Sequence, residues 1–149
     1  MKRRIPSILV LLIALLASFL SASAQDFKKQ VIHQLITDRF FAGTPSDNNP
    51  PQSPGLYDST KTNWQLYWDG NFAGIQAKLT YLKGMGITAI WISPPLDNIN
   101  VSIPNNGSPS APYPGYSARV FQRTVEHFGD ASSSWAAFDA LTAAAHQTV

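Results

Sequence analysis

Few side chains in this 149-residue sequence could do chemistry, and its carboxylates are the first to consider. Among nine acidic residues, Asp38 and Asp97 are the best placed, because each follows a predicted strand. Neither has a second carboxylate close to it in the sequence, and a lone aspartate is more often a turn or cap residue. His33 lies inside a predicted strand, where a core or hydrogen-bonded role is favoured over catalysis. The sequence contains no cysteine, which excludes thiol chemistry and thiolate metal sites.

A second group of side chains is suited to binding. The chain has four tryptophans and five tyrosines, and only 13% of its residues are charged. Aromatic residues cluster closely at Trp64, Tyr67, Trp68 and Phe72. Many aromatic residues, few charges and many Asn, Ser, Thr and Pro residues are typical of a protein that handles a neutral polar ligand.

The elements that must position these side chains are short. The segments "VIHQLIT" at 31–37 and "ITAIWIS" at 87–93 are mainly apolar and predict buried strands. The second shows little alternation, so it is expected to be buried on both faces, as parallel strands are. Residues 74–85 carry apolar side chains at spacings of three and four, which predicts a helix. This order predicts a right-handed βαβ unit.

Long irregular segments separate or follow these elements. Residues 40–66 and 96–116 are rich in Pro, Asn, Ser and Gly, which predicts loops. Loops this long in a compact protein are usually functional or disordered. Residues 135–147 predict a second helix, and Ser132 to Ser134 offer oxygens to cap its N-terminus.

The first 24 residues have the three-part pattern of a secretory signal peptide. A basic start, "KRR", precedes an apolar run from Ile8 to Leu20, and a small-residue site precedes Gln25. The run falls short of the roughly 20 residues that span a bilayer, which argues against an anchor. We therefore expect a secreted protein, extracellular or periplasmic, that begins at Gln25.

The net charge argues against a nucleic-acid partner. Without Lys2, Arg3 and Arg4, eight basic residues face nine acidic ones, so the mature net charge is about −1. Nucleic-acid binding would require a basic face. No segment after residue 24 is apolar enough to predict a membrane span.

Five separated motifs carry a family resemblance. The motifs are "TDRFF" at 37–41, "GMGITAIWISPP" at 84–95, "GY" at 115–116, "EHFG" at 126–129 and "FDALTAAAH" at 138–146. In order and spacing they resemble the N-terminal part of the α-amylase superfamily, glycoside hydrolase family 13. In particular, they resemble the cyclodextrin glucanotransferases and related secreted α-amylases.

The resemblance implies an α/β fold, a (β/α)₈ barrel that acts on α-1,4-glucans such as starch or maltodextrin. The chain would supply the first two βα units, about a quarter of such a barrel, and stop before strand 3. Its "SPP" at 93–95 would deliver strand 2 to the substrate-facing rim. The family's nucleophilic Asp, acid Glu and third Asp follow strands 4, 5 and 7. We therefore expect them beyond Val149, and we expect the chain alone to be inactive.

The resemblance also implies a sugar-binding surface. Tyr116 matches the family tyrosine that stacks on the sugar at the cleavage subsite, and Tyr113 begins the same "YPGY" segment. Flat aromatic faces suit the apolar faces of pyranose rings. Pro114 stands where the family has histidine, and Val120 stands where it has an acid. Both changes remove polar groups near the subsite.

A calcium ion is the implied cofactor, held between the loop after strand 1 and the segment before helix 1. Calcium takes six to eight oxygen ligands. In this sequence Ala42, Thr44 and Asn71 replace an Asp, an Asn and a second Asp of the family, which predicts a weakened site. The expected ligands are Asp47, Asn48, Asp69 and Asn71.

Three interpretations stay open at this point. The chain is the N-terminal piece of an amylase-type enzyme, or a secreted, non-catalytic α-glucan-binding fragment, or a truncated reading frame that folds poorly. The last has a physical basis, because barrels close to remove their sheet edges and two strands alone leave edges open.

Overall fold

The computed structural model describes residues 27–43, 48–105 and 107–149. The predicted signal peptide lies outside these ranges, as do Thr44 and Asp47 of the predicted calcium site. Within the described ranges, no helix has the length and apolar character needed to cross a membrane.

Eleven short elements follow one another along the described chain. A 3₁₀ turn at Phe27–Lys29 comes first. The others are β1 Ile32–Gln34, α1 Thr37–Phe40, α2 Phe72–Ala77, α3 Leu79–Gly84, β2 Ala89–Trp91, β3 Leu96–Asn98, β4 Ile103–Asn105, β5 Ser108–Ser110, β6 Ala118–Thr124 and α4 Ala136–Thr148.

The predicted βαβ order is confirmed. β1 and β2 pair in parallel, with Ile32 opposite Ala89 and His33 opposite Ile90. The chain between them passes through α2 and α3, which divide the predicted helix of residues 74–85 at Lys78. Because parallel strands need a crossover connection, these helices are what allow β1 and β2 to meet.

The prediction that the second strand is buried on both faces is wrong. Ile90 and Ile92 pack against the core, whereas Trp91 between them is 59% exposed. Val31 and Ile32 near β1 are also exposed. Successive strand side chains point to opposite faces. In the described chain the core covers one of those faces, so the near-continuous apolar run is only half buried.

Aromatic rings form the centre of the core. The ring centroid of Phe72 lies 5.9 Å from that of Phe128 and 5.5 Å from that of Phe138, in edge-to-face contacts. The Phe72 N–H also donates to the Phe128 carbonyl at 2.8 Å. Because Phe72 begins α2 and Phe138 lies on α4, these contacts fix the two helices against each other.

The segment predicted as a loop after β2 contains three strands. β3 pairs with β6, and β4 pairs with β5, both antiparallel. Pro104 lies opposite Pro109 in the β4–β5 hairpin. Proline has no N–H donor, so it is tolerated in edge strands. Both strands of a two-stranded hairpin are edge strands.

The expected serine cap of the last helix is also wrong. Trp135 is the N-cap residue of α4 and makes no side-chain cap hydrogen bond. Ser132 and Ser134 instead donate to the Asp130 carboxylate, the latter at 2.8 Å. A carboxylate competes well for hydroxyl donors, because bonds to a charged acceptor are the stronger ones.

Two glycines bring the chain after β1 directly against the start of α2. A Cβ on Gly70 would lie 2.0 Å from the Thr37 carbonyl oxygen, and one on Gly74 would lie 1.8 Å from that of Phe41. Neither position can accept a side chain unless the backbone moves. We call this contact the glycine seam.

Candidate functional site

The candidate site begins where β1 and β2 end, at one edge of their parallel pair. The Leu35 N–H donates to the Trp91 carbonyl at 2.9 Å, and the Thr37 N–H donates to Ser93 Oγ at 3.1 Å. These bonds hold the two strand ends together. Asp38 and Arg39 come directly after Thr37, and Pro94 and Pro95 come directly after Ser93.

Asp38 is buried, and both of its carboxylate oxygens have partners. Both of its carboxylate oxygens lie 3.0 Å from the Trp68 N–H, and Oδ2 lies 2.9 Å from Arg39 Nε. Nε is not aligned for a hydrogen bond, so the contact with Arg39 is ionic. Burial raises the pKa of Asp38 to about 7, although Arg39 and the Trp68 N–H act to lower it. This carboxylate positions a loop, and its contacts leave it no place against a ligand.

Arg39 is enclosed by rings and carbonyls. Its guanidinium carbon lies 3.9 Å from the centroid of Trp68 and 3.8 Å from that of Tyr113. Its Nη2 donates to the carbonyls of Trp64 and Leu66 at 2.8 and 2.7 Å. We call this assembly, with Asp38, the Arg39 clamp. It joins the loop before α2 to the loop before β6.

The clamp engages one of the two tyrosines predicted to bind sugar. Tyr113 is half-buried and has a ring face against Arg39. A face stacked on a guanidinium is not available to a pyranose ring. The structure thus gives Tyr113 a positioning contact, and direct sugar binding by Tyr113 stays a prediction.

Tyr116 is placed differently. Residues 112–115 form a turn closed by a 3.0 Å bond from the Gly115 N–H to the Pro112 carbonyl. Gly115 has φ 86°, and a Cβ there would lie 2.7 Å from the Pro94 carbonyl oxygen. The turn therefore packs directly on the end of β2. Tyr116 follows it with a side chain that is 70% exposed, so its ring is accessible to a ligand.

Asp97, the second candidate carboxylate, forms an ion pair. Its oxygens lie 2.9 and 3.2 Å from Nη2 of Arg119, and Asp97 is only 1% exposed. The fold also brings Glu126 within electrostatic range, which the sequence spacing did not reveal. Burial raises the pKa of Glu126, and the charge on Asp97 adds to that rise. Because Glu126 is itself 2% exposed, a ligand cannot reach the carboxylates of Asp97 and Glu126.

His127 is a buried polar residue that the sequence reasoning did not single out. Its ring stacks on Tyr67 with centroids 3.6 Å apart. Nδ1 lies 3.1 Å from the Asn48 carbonyl, so Nδ1 carries the proton and Nε2 accepts from Ser53 Oγ at 2.8 Å. Burial lowers the pKa of His127 to about 4, which keeps the ring neutral. Its position within the "EHFG" motif was the signal that could have found it.

The described residues of the predicted calcium site do not fit calcium. Asp69 accepts from Asn48 Nδ2 at 2.9 Å and from the Tyr57 hydroxyl at 2.5 Å, and Lys61 Nζ lies 2.5 Å from its Oδ2. Asn71 Oδ1 accepts from the N–H groups of Gly43 and Gly74 and thereby caps α2. We call the contact between Lys61 and Asp69 the Lys61 link.

The groups that point at Asp69 are hydrogen-bond donors, whereas a cation needs acceptor oxygens. Calcium requires six to eight oxygens aimed at the ion, whereas N–H and O–H donors converge on Asp69. Burial acts to raise the pKa of Asp69, but Lys61, Tyr57 and Asn48 outweigh it and hold that pKa below its usual value. Within residues 27–43, 48–105 and 107–149, no three His, Cys, Asp or Glu side chains form a metal-binding group.

Comparisons with known proteins agree with the motifs. A family model described as "Alpha amylase, catalytic domain" matches residues 34–148. A cyclomaltodextrin glucanotransferase from Bacillus sp. (strain 17-1) is 42% identical over 127 residues, which are 84% of this chain and 17% of that protein. The chain thus spans about a fifth of the length of the curated relatives it matches.

Two solved structures match the fold. One is described as the first cyclomaltodextrin glucanotransferase with a three-domain ABC distribution; the TM-score is 0.73 and the identity 49%, over 80% of this chain and 23% of that one. The other is a γ-cyclodextrin glucanotransferase from alkalophilic Bacillus clarkii, with a TM-score of 0.72 and 35% identity, over 85% of this chain and 18% of that one.

Proposed function

Because the chain belongs to the α-amylase catalytic-domain family, we propose that it forms part of the rim of an α-1,4-glucan-binding cleft. Relatives that are 42% identical to this chain over their matched residues bear the names cyclomaltodextrin glucanotransferase and α-amylase. The observation that carries the proposal is Tyr116, whose exposed ring stands on a turn fixed against the end of β2. In (β/α)₈ enzymes, that end of the strands faces the substrate.

The proposal gives each part of the rim a separate role. Tyr116 stacks on the apolar face of a glucose ring. The Arg39 clamp fixes Tyr113 three residues earlier, so the turn does not have to be ordered when the sugar binds. Pre-ordering of this kind lowers the entropic penalty of binding.

The family's chemistry would be retaining transfer from an α-1,4-glucan by two carboxylates about 5–5.5 Å apart. We propose that this chain binds glucan and does not itself provide that pair. Asp38 is held by Arg39 and the Trp68 N–H, and Asp97 is held by Arg119. A nucleophile must reach the sugar, and these carboxylates are buried in their ion pairs.

We further propose that β1, α2–α3, β2 and α4 are the first two βα units of a (β/α)₈ barrel. The parallel pairing of β1 with β2 and the helices that follow each strand support this assignment. Hydrogen exchange on the full chain checks it. The amide of Leu35 should be protected together with the β1 and β2 amides, and rapid exchange at Leu35 would contradict the proposal.

The binding experiment compares two exposed tyrosines. Affinity electrophoresis of the full chain in gels with soluble starch should show retardation, and Tyr116→Ala should weaken binding roughly two- to tenfold. Tyr81, 60% exposed on α3, is the matched control, and Tyr81→Ala should migrate as the unchanged chain does. Equal retardation of both variants would contradict the role of Tyr116, and release of reducing sugar from starch would contradict binding without turnover.

A further inference from the structure

We infer that the ammonium of Lys61 occupies the role of a bound cation in the loop before α2, so that this loop is held together without calcium. The inference concerns the internal architecture of the chain and is independent of glucan binding. It rests on the direction of the donors around Asp69, on how Lys61 is presented to it, and on the engagement of the other candidate ligands.

The donors converge on a single carboxylate. Lys61 Nζ and the Tyr57 hydroxyl each lie 2.5 Å from an oxygen of Asp69, and Asn48 Nδ2 lies 2.9 Å from Oδ1. Tyr57 and Lys61 flank or lie in the same turn, and Asn48 comes from an earlier part of the loop. A cation at this place would have to displace Lys61 and would face the N–H₂ group of Asn48, which repels it.

A dedicated turn presents Lys61 to Asp69. The Asp58 carboxylate accepts from the N–H groups of Thr60, Thr62 and Asn63 at 2.7–2.9 Å. Inside this turn Lys61 has φ 57°, a left-handed conformation that is uncommon for a residue other than glycine. Surrounding bonds must hold such a residue in place, and here the result is that its side chain reaches Asp69.

Among the residues that the structure describes, the two other candidate positions are engaged elsewhere or have no oxygen in the side chain. Asn71 Oδ1 accepts from Gly43 at 3.0 Å and from Gly74 at 2.8 Å, so it caps α2. Ala42, at the position where the resemblance implies an aspartate, has no ligating side-chain atom and pairs with Gly70 through its backbone. The described part of the loop thus combines a lysine ammonium at Asp69 with an alanine, which has no ligating side chain, at position 42.

Thermal unfolding of the full chain in calcium chloride and in EGTA tests the inference. The transition temperature should agree within about 1 °C between the two conditions. A ligand that binds only the folded state raises that temperature, so a saturable rise of several degrees with calcium would overturn the inference.

Substitutions at Lys61 provide the second arm. Lys61→Met should lower the transition temperature in EGTA, whereas Lys61→Arg should stay near the unchanged chain because it keeps the charge. Lys83→Met, at an exposed lysine near the end of α3, is the matched control and should change little. If Lys61→Met and Lys83→Met melt at the same temperature, the inference fails.

Terbium luminescence gives a readout that does not depend on stability. Tyr57, whose hydroxyl lies 2.5 Å from Asp69, and Trp68, which directly precedes Asp69, would sensitise a Tb³⁺ ion bound there. The unchanged chain should show no saturable emission at micromolar Tb³⁺. Saturable emission from the unchanged chain that calcium displaces would overturn the inference.

Discussion

Arg39 and Lys61 are both cations that hold loops before α2, but their surroundings differ. Arg39 is enclosed by two rings, two carbonyls and a buried carboxylate. Lys61 reaches Asp69 through its ammonium alone, and 46% of its side chain is exposed. A guanidinium can bond at its edge and stack on both faces, whereas an ammonium is a compact point charge. The arginine is therefore part of the packed structure, whereas the lysine holds a loop from its surface.

The largest expected effect is at Arg39. At pH 8, above the pKa of Asp38, Arg39→Met should reduce the free energy of unfolding by about 3 kcal/mol or more, because it leaves the ionised Asp38 buried without its cation. Arg39→Lys should recover less than half of that loss, since a lysine cannot stack on both rings and bond both carbonyls. Urea denaturation of the full chain measures both values.

Arg123→Lys is the control for that experiment, because Arg123 lies exposed on β6. This change should shift stability by no more than about 0.5 kcal/mol. If Arg39→Lys were equally mild, the clamp would be acting as a simple charge, and the contrast with Lys61 would disappear.

The carboxylates paired with the two cations should respond to pH in opposite directions. The pKa of Asp38 is raised to about 7, so its stabilising contribution is complete below its usual pKa of 3.8 and is lost as the pH rises towards 7. The pKa of Asp69 is lowered, so its contribution is present above 3.8 and is lost as the pH falls below that value. Urea unfolding between pH 3 and 8 should show that Asp38→Asn removes a decline of up to about 1.4 kcal/mol per pH unit, whereas Asp69→Asn removes only the loss in acid.

His127 must be considered in the same titration. Its pKa is lowered from 6.5 to about 4, so its contribution is present above pH 6.5 and is lost as the pH falls towards 4. In the unchanged chain this slope opposes that of Asp38. His127→Gln should therefore steepen the decline between pH 4 and 7. A decline that persists unchanged in Asp38→Asn would show that another group causes it.

The smallest expected effect is on the coupling energy between each cation and its carboxylate. A double-mutant cycle with Lys61→Met and Asp69→Asn should give a coupling energy below about 1 kcal/mol, as exposed ion pairs do. This coupling should shrink in 0.5 M sodium chloride, because salt screens exposed charges. The cycle with Arg39→Met and Asp38→Asn should give a larger coupling with little salt dependence. Equal couplings in the two cycles would remove the distinction between packed and surface cations.

Local sequence patterns predicted the elements that are determined by the spacing of nearby apolar residues. The two parallel strands, the helix between them and the last helix were all predicted, because apolar spacing encodes each of them. The pairing of β3 with β6 could not be predicted in this way. It joins residues 20 to 28 positions apart, with register irregularities on both sides of Asp97, and no short-range signal specifies such a partner.

A site feature that depends on a single residue could be predicted from the sequence. A feature that depends on contacts between distant residues could not. Tyr116 could be singled out from its motif, and the structure leaves its ring exposed. The Arg39 clamp depends on Trp68 and Tyr113, which lie 29 and 74 positions away in the chain. The Lys61 link depends on a left-handed backbone conformation, which a lysine in the sequence does not predict.

The glycine seam has a consequence for how this sequence can vary. Every single-nucleotide change at the Gly70 or Gly74 codon that alters the residue adds a Cβ, and at both positions that atom would fall within 2.0 Å of a carbonyl oxygen. The neighbouring position 42, by contrast, already holds an alanine where the resemblance implies an aspartate. In a randomised library selected for folding, positions 70 and 74 should therefore remain glycine while the surrounding polar positions diversify. The two glycines thus restrict the backbone path of this loop more tightly than they restrict its polar side chains.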